Sequence, residues 1–194
     1  MTSPEGLFPS TSIPKKTAEH FSLTPWCKPI LEDHSLHPFL PSSRLLKEHN
    51  CDTLTAITLQ TPDTISHSQF FYSPSDSSRS FGEVLALLSL GTHVNGHIDT
   101  AHGGFTGVIL DDMIGCAALI AKPRDKTIMT AYLHITYKNP IPTPGVVLGR
   151  SWVDKQTGRK IFGKATIEDG NGLVLAIGEA LFITMDRTKL REKL

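Results

Sequence analysis

Two kinds of group that acyl transfer needs stand close together between Ala101 and Ala121, in the stretch AHGGFTGVILDDMIGCAALIA. His102-Gly103-Gly104 reads as a turn that leaves backbone N–H groups bare at the start of a helix, where negative charge is stabilised. Asp111 and Asp112 then interrupt a run of apolar residues otherwise suited to burial. A carboxylate in that setting is costly unless it is paired or used. A backbone donor and a buried carboxylate on one helix are the parts of an acyl-transfer site.

The helical repeat separates the two acids. Gly104, Gly107, Val108, Asp111, Gly115 and Ala118 fall on one face at i, i+3 and i+4 spacing. Their small side chains make a ridge that another backbone, or a substrate, could approach closely. Asp111 stands on this ridge, and Asp112 is turned about 100° away from it. Asp111 is therefore the better-placed carboxylate, although a one-residue slip of phase would exchange the roles. The ridge would also serve plain packing against a sheet, with Asp111 hydrogen-bonded in place; a carboxylate is a poor choice for that purpose.

The elements that must position these groups lie in residues 66–186, where the pattern is regular. Residues 1–65 read as a proline-rich extension that wraps a domain or frays, and 187–194 as a basic tail, with its cluster from Arg187 to Lys193. Prolines at 4, 9, 14, 25, 29, 38, 41 and 62 exclude long regular elements there, leaving short helical turns around Phe21–Leu31 and Arg44–Asn50. Ser68–Tyr72 suits a short strand. Phe81–Leu90 would suit a helix equally well by composition; its shortness and Gly91 favour a strand. The long helix runs from near Gly104 to Ala121 and is stopped by Pro123. Thr127–Tyr137, Val146–Asp154, Lys160–Glu168 and Leu173–Met185 follow as strands, with turns at Gln156-Thr157-Gly158 and Asp169-Gly170-Asn171-Gly172. This order is that of an α+β domain with an antiparallel sheet and a single central helix.

Composition narrows the function classes. The 194 residues suit one domain with a real core, and 19 lysines and arginines balance 19 aspartates and glutamates. Without a basic surplus, nucleic acid and anionic membranes are not expected partners. Cys27, Cys51 and Cys116 are odd in number and form no CxxC pair, which argues against a disulfide framework and fits a reducing, cytoplasmic setting. No uninterrupted apolar run reaches the ~18–20 residues of a bilayer span, and MTSPEGLFPSTSIPKK lacks a hydrophobic signal core. His93 and His97 have HxxxH spacing, but Asn95-Gly96 breaks the helix that would hold a metal between them, so neither metal nor cofactor is expected. There is no GxSxG elbow, Walker loop or GxGxxG turn after a strand.

With these residues in view, the chain resembles the hotdog-fold acyl-CoA thioesterases of the PaaI-like superfamily, most closely a mammalian Akt-binding branch and its fungal relatives. His102-Gly103-Gly104, the aspartate nine residues after that histidine (Asp111) and Gly115 carry the likeness. So do Met129-Thr130-Ala131, the run Ile135-Thr136-Tyr137-Lys138-Asn139-Pro140-Ile141-Pro142, and the final hairpin from Gly158-Arg159-Lys160 to Glu179-Ala180-Leu181-Phe182. Residues 66–185 are covered.

The resemblance implies a curved antiparallel sheet wrapped around the long helix, in a homo-oligomer (a dimer or a dimer of dimers) with active sites at protomer interfaces. It implies Gly104 N–H as the donor to the thioester carbonyl and Asp111, from the facing protomer, as nucleophile or general base. Thr130 would position the attacking group, and His102 would shape the turn. Asn95-Gly96-His97 is similar to the NGH of bacterial members, one residue further from the turn, and adds Asn95 to Gly103 and Asp112 as candidate substrate contacts. The expected substrate is an acyl-CoA or acyl-carrier thioester. Lys138, Arg150, Arg159, Lys160 and Lys164 are available to coenzyme A phosphates, none singled out. Two other uses of the fold stay open. One is an enzyme of secondary metabolism that releases, dehydrates, cyclises or decarboxylates a carrier-bound chain. The other is a non-catalytic scaffold, against which the joint presence of His102, Gly104, Asp111 and Thr130 argues.

Overall fold

The structure, a computed structural model, describes residues 11–186; the basic cluster at Arg187–Lys193 lies outside them. Helix α3 (Gly103–Ala121) is the centre of the domain. His102 precedes it in an extended conformation and caps it, and at the other end Lys122 returns to extended backbone ahead of Pro123. Around α3 bends a seven-stranded antiparallel sheet in the order β1-β2-β3-β7-β8-β9-β6. Its main strands are β2 (Ile65–Ser73), β3 (Glu83–Leu90), β6 (Lys126–Tyr137), β7 (Gly145–Thr157), β8 (Lys160–Glu168) and β9 (Val174–Asp186). Gly158 in the β7–β8 hairpin and Gly170 and Gly172 between β8 and β9 have φ of +56°, +82° and +90°, the conformation those turns require.

The ambiguous apolar run Phe81–Leu90 contains β3, and burial on both faces explains why it does not alternate. Val84, Ala86 and Leu88 pack with Ile109, Leu110 and Ile114 of α3. Leu85 and Leu87 face the other way, against Phe21 and Cys27 of the N-terminal residues and Leu148 of β7. Those N-terminal residues form α1 (Lys15–Ser22), α2 (Lys28–Leu31) and β1 (His37–Phe39), which pairs with Phe70–Tyr72. Pro38 is tolerated because β1 is an edge strand. Tight turns follow at Ser42–Arg44, Glu48–Asn50 and Leu54–Thr58.

The sheet lets α3 approach closely where glycine replaces a side chain. A Cβ at Gly163 would collide with Ile114, and one at Gly178 would lie 3.1 Å from Leu110 Cβ. One expectation needs correction: α3, at 19 residues, is long and apolar enough by length and composition to cross a bilayer. Half of it is buried by the sheet, and it occupies the place of a core helix.

Candidate active site

The N-terminus of α3 is held from three sides. The Gly104 N–H donates to His102 Nδ1 at 2.9 Å, so that ring nitrogen carries no proton. The Tyr137 hydroxyl of β6 donates to the Gly103 carbonyl at 2.9 Å. Two short strands, β4 (Asn95–His97) and β5 (Thr100–Ala101), lead into the turn, and Gly96 lies so close that a Cβ there would be 2.9 Å from His102 Cα. The first-turn donor named from sequence, Gly104 N–H, is thus engaged by the cap, whereas the Gly103 N–H at the first helical position has no partner among the described residues.

About two helical turns further on, the adjacent acids have different surroundings. Thr130 Oγ1 of β6 donates to Asp111 Oδ1 at 3.1 Å. Burial pushes the Asp111 carboxyl above the usual carboxylate range; the Thr130 hydrogen bond opposes that rise and the negative charge of Asp112 adds to it. Asp112 instead accepts from Arg44 Nη2 at 3.0 Å, in an ion pair whose side chains are 2% and 9% exposed. The Arg44 guanidinium also lies 5.7 Å from the centre of the Phe70 ring. Helical phase separated the two acids correctly in space: Asp111 faces β6, and Asp112 is bound to the N-terminal residues.

The small-residue ridge packs on the sheet at one point and lines an open surface at others. Gly107 is buried, and a Cβ there would stand 3.0 Å from Ile135 Cδ1, so this part of the ridge packs on β6. Gly104, Gly107, Val108 and Asp111 also line an open hollow of about 600 Å³, together with Gly103, Asp112 and, from β6, Leu133, Ile135 and Tyr137. A register shift between Thr130 and Tyr132 makes this lining possible. Ala131 is the extra residue, so Thr130 and the odd-numbered Leu133, Ile135 and Tyr137 all reach the helix side. Strand alternation alone would have put Thr130 on the opposite face.

Asn95 lies outside the lining, and its side-chain oxygen accepts a hydrogen bond from Thr143. The sequence gives no signal for the role of Tyr137, or for Arg44, whose carboxylate partner is 68 residues away. Ser43, Asp52, Leu54 and Thr55, which also line the hollow, carry no sequence signal because the α3 and β6 residues that line it with them are more than 40 positions away.

Known proteins match this arrangement. Residues 99–176 fit the family model for the Thioesterase superfamily. The acyl-coenzyme A thioesterase THEM4 of Mus musculus is 37% identical over 107 residues, covering 55% of this chain and 45% of that protein. The chain spans about half the length of the curated relatives it matches. The crystal structure of a thioesterase superfamily protein overlays with a TM-score of 0.53 at 25% identity, over 60% of this chain and 53% of the other. A phenylacetic acid degradation-related protein of Ralstonia eutropha JMP134 shares the fold, with a TM-score of 0.51 at 14% identity over 58% and 82% of the two chains. The turn, α3 and most of the strands that follow lie inside residues 99–176, which are similar to the Thioesterase superfamily, and the sheet wrapped around α3 is the fold of its solved members.

Proposed function

We propose that the domain hydrolyses acyl thioesters of coenzyme A, with Asp111 as the carboxylate that delivers the attack. The observation that carries this reading is a carboxylate raised above its usual range, anchored by Thr130 and lining a hollow, on a helix whose first N–H, that of Gly103, has no partner among the described residues. Asp111 takes the proton of a water whose oxygen bonds to the thioester carbon, or attacks that carbon itself. The carbonyl oxygen gains negative charge and is received at the helix N-terminus. Gly103 N–H is open to it, and Gly104 N–H joins if the His102 ring gives way. Collapse expels the thiolate: on the water route it takes up the proton held by Asp111, and on the direct route a water then cleaves the acyl–Asp111 anhydride, regenerating the carboxylate and supplying that proton.

Gly103 and Asp111 are eight positions apart, about 12 Å along the axis, too far for both to serve one carbonyl. One site therefore takes its donor from one protomer and its carboxylate from the other, which supports a homodimer. Strand β6, twelve residues long and at the sheet edge, with Met129 and Tyr132 about half exposed, supports edge-to-edge pairing. The test is thiol release from an acyl-CoA panel by wild type and Asp111→Asn. The variant is expected to lose about 10²–10⁴ in kcat; equal rates would end the proposal.

A further inference from the structure

We propose that residues 42–59 form the acyl-recognition wall of this site, and that Arg44 and Asp112 are the positioning pair that holds the wall in place. The inference rests on reading the hollow as the thioesterase site. Ser43, Leu54 and Thr55 line it together with Gly104, Val108 and Ile135. The segment lies wholly outside residues 99–176, the part that fits the family model.

The charges of the hollow select the end of the substrate it takes. Its lining includes no lysine or arginine but three carboxylates, Asp52, Asp111 and Asp112. Lys47 pairs with Asp52 and Arg44 with Asp112, leaving Asp111 as the one without a cation among the described residues. Such a surface repels the phosphates of coenzyme A and accepts an uncharged chain along Leu54, Val108, Leu133 and Ile135. Leu54, about half exposed, is the apolar side chain that the wall contributes.

The wall is tied at its base. Thr55 Oγ1 donates to the Ser43 carbonyl at 2.6 Å, joining the turn at Leu54–Thr58 to that at Ser42–Arg44. Arg44 is 4% exposed, and its Nε and Nη1 have no hydrogen-bond partner among the described residues. Asp112 is therefore the carboxylate that compensates this buried cation, and losing it leaves the guanidinium with a large desolvation cost. This accounts for a second acid beside Asp111: it fixes the wall and takes no part in the attack.

The test uses acetyl-CoA and dodecanoyl-CoA. Leu54→Trp changes a half-exposed side chain and should leave folding intact. It is expected to lower the dodecanoyl-to-acetyl ratio of kcat/KM by about tenfold or more. Titration calorimetry on Asp111→Asn, with and without Leu54→Trp, should show the same selective weakening of dodecanoyl-CoA. An unchanged chain-length ratio in both measurements overturns the wall. Failure of wild type to release thiol would sink the hydrolase reading alone, since the calorimetric comparison still decides the wall. For the tie, Asp112→Asn should speed amide exchange over residues 42–59 by about tenfold while leaving that of α3 unchanged. Equal protection in the two proteins would refute it.

Discussion

Asp111 combines functional fitness with a cost in stability, and both can be measured. Burial, then Asp112, hold its carboxyl above the usual range, while Thr130 pulls it down. The ionised form is the one that attacks, so the acid limb of kcat/KM should lie above that of an ordinary carboxylate. Thr130→Val removes the hydrogen bond that favours ionisation, and the limb should move to still higher pH. A pH–rate profile that stays in place, or shifts towards acid, would contradict the role given to Thr130. The same shift sets the sign of linkage. A folded pKa above the unfolded one means that the native state binds the proton more tightly. Stability is then highest below the unfolded value and falls as pH rises to the folded value. Asp111→Asn should accordingly melt higher than wild type at pH 7, by about 2–4 °C per kcal/mol relieved, with the gap closing towards pH 3. A lower melting point at pH 7 would mean that the carboxylate stabilises the fold.

At the scale of elements, α1 gives a second pH-dependent prediction. It docks through Phe21, fully buried, and through His20, whose ring stacks on His67 at 3.8 Å and shares a 2.9 Å hydrogen bond with Ser89 Oγ. Burial first, and then the His67 charge, lower the His20 pKa. The native state thus binds this proton less tightly than the unfolded chain. Docking is at full strength above the unfolded value, about pH 6.5, and weakens as pH falls towards the lowered native value. Amide exchange over Lys15–Leu31 should rise below pH 6, and His20→Phe should flatten that response; an unchanged response in the variant would remove His20 as its source. The sequence made the elements legible where a local rule governed them: Pro123 stopped α3, glycines marked the β7–β8 and β8–β9 turns, and helical phase gave Asp111 and Asp112 different surroundings. It did not show β1, because three residues with Pro38 in the middle carry no strand pattern. The Ala131 bulge and the Arg44–Asp112 pair were hidden for another reason. Both depend on contacts between segments far apart in the chain, which no local periodicity encodes.

The whole molecule has two sheet edges of different character. At one, β1 is three residues long and contains Pro38, a blunted edge; at the other, β6 offers twelve residues without proline. If two chains join along β6, the donor end of one α3 and the carboxylate of the other complete each site, and complementation between inactive variants tests it. Gly103→Pro removes the open N–H but should spare the helix, since proline is favoured at the first helical position. His102, at φ −64° and ψ 136°, already has the extended conformation required before proline. Gly103→Ala is the control, because any Cβ there meets the Tyr137 hydroxyl at 3.2 Å while the N–H remains. Gly103→Pro alone should lose about 10²–10³ in kcat and the alanine variant far less. Co-expressed with Asp111→Asn in equal amounts, random pairing makes half of the dimers mixed. Each mixed dimer has one site with both groups intact and one with neither. Activity should then recover to about a quarter of wild type. If donor and carboxylate of one site came from the same chain, no pairing would restore a complete site, and the mixture would stay as inactive as its components.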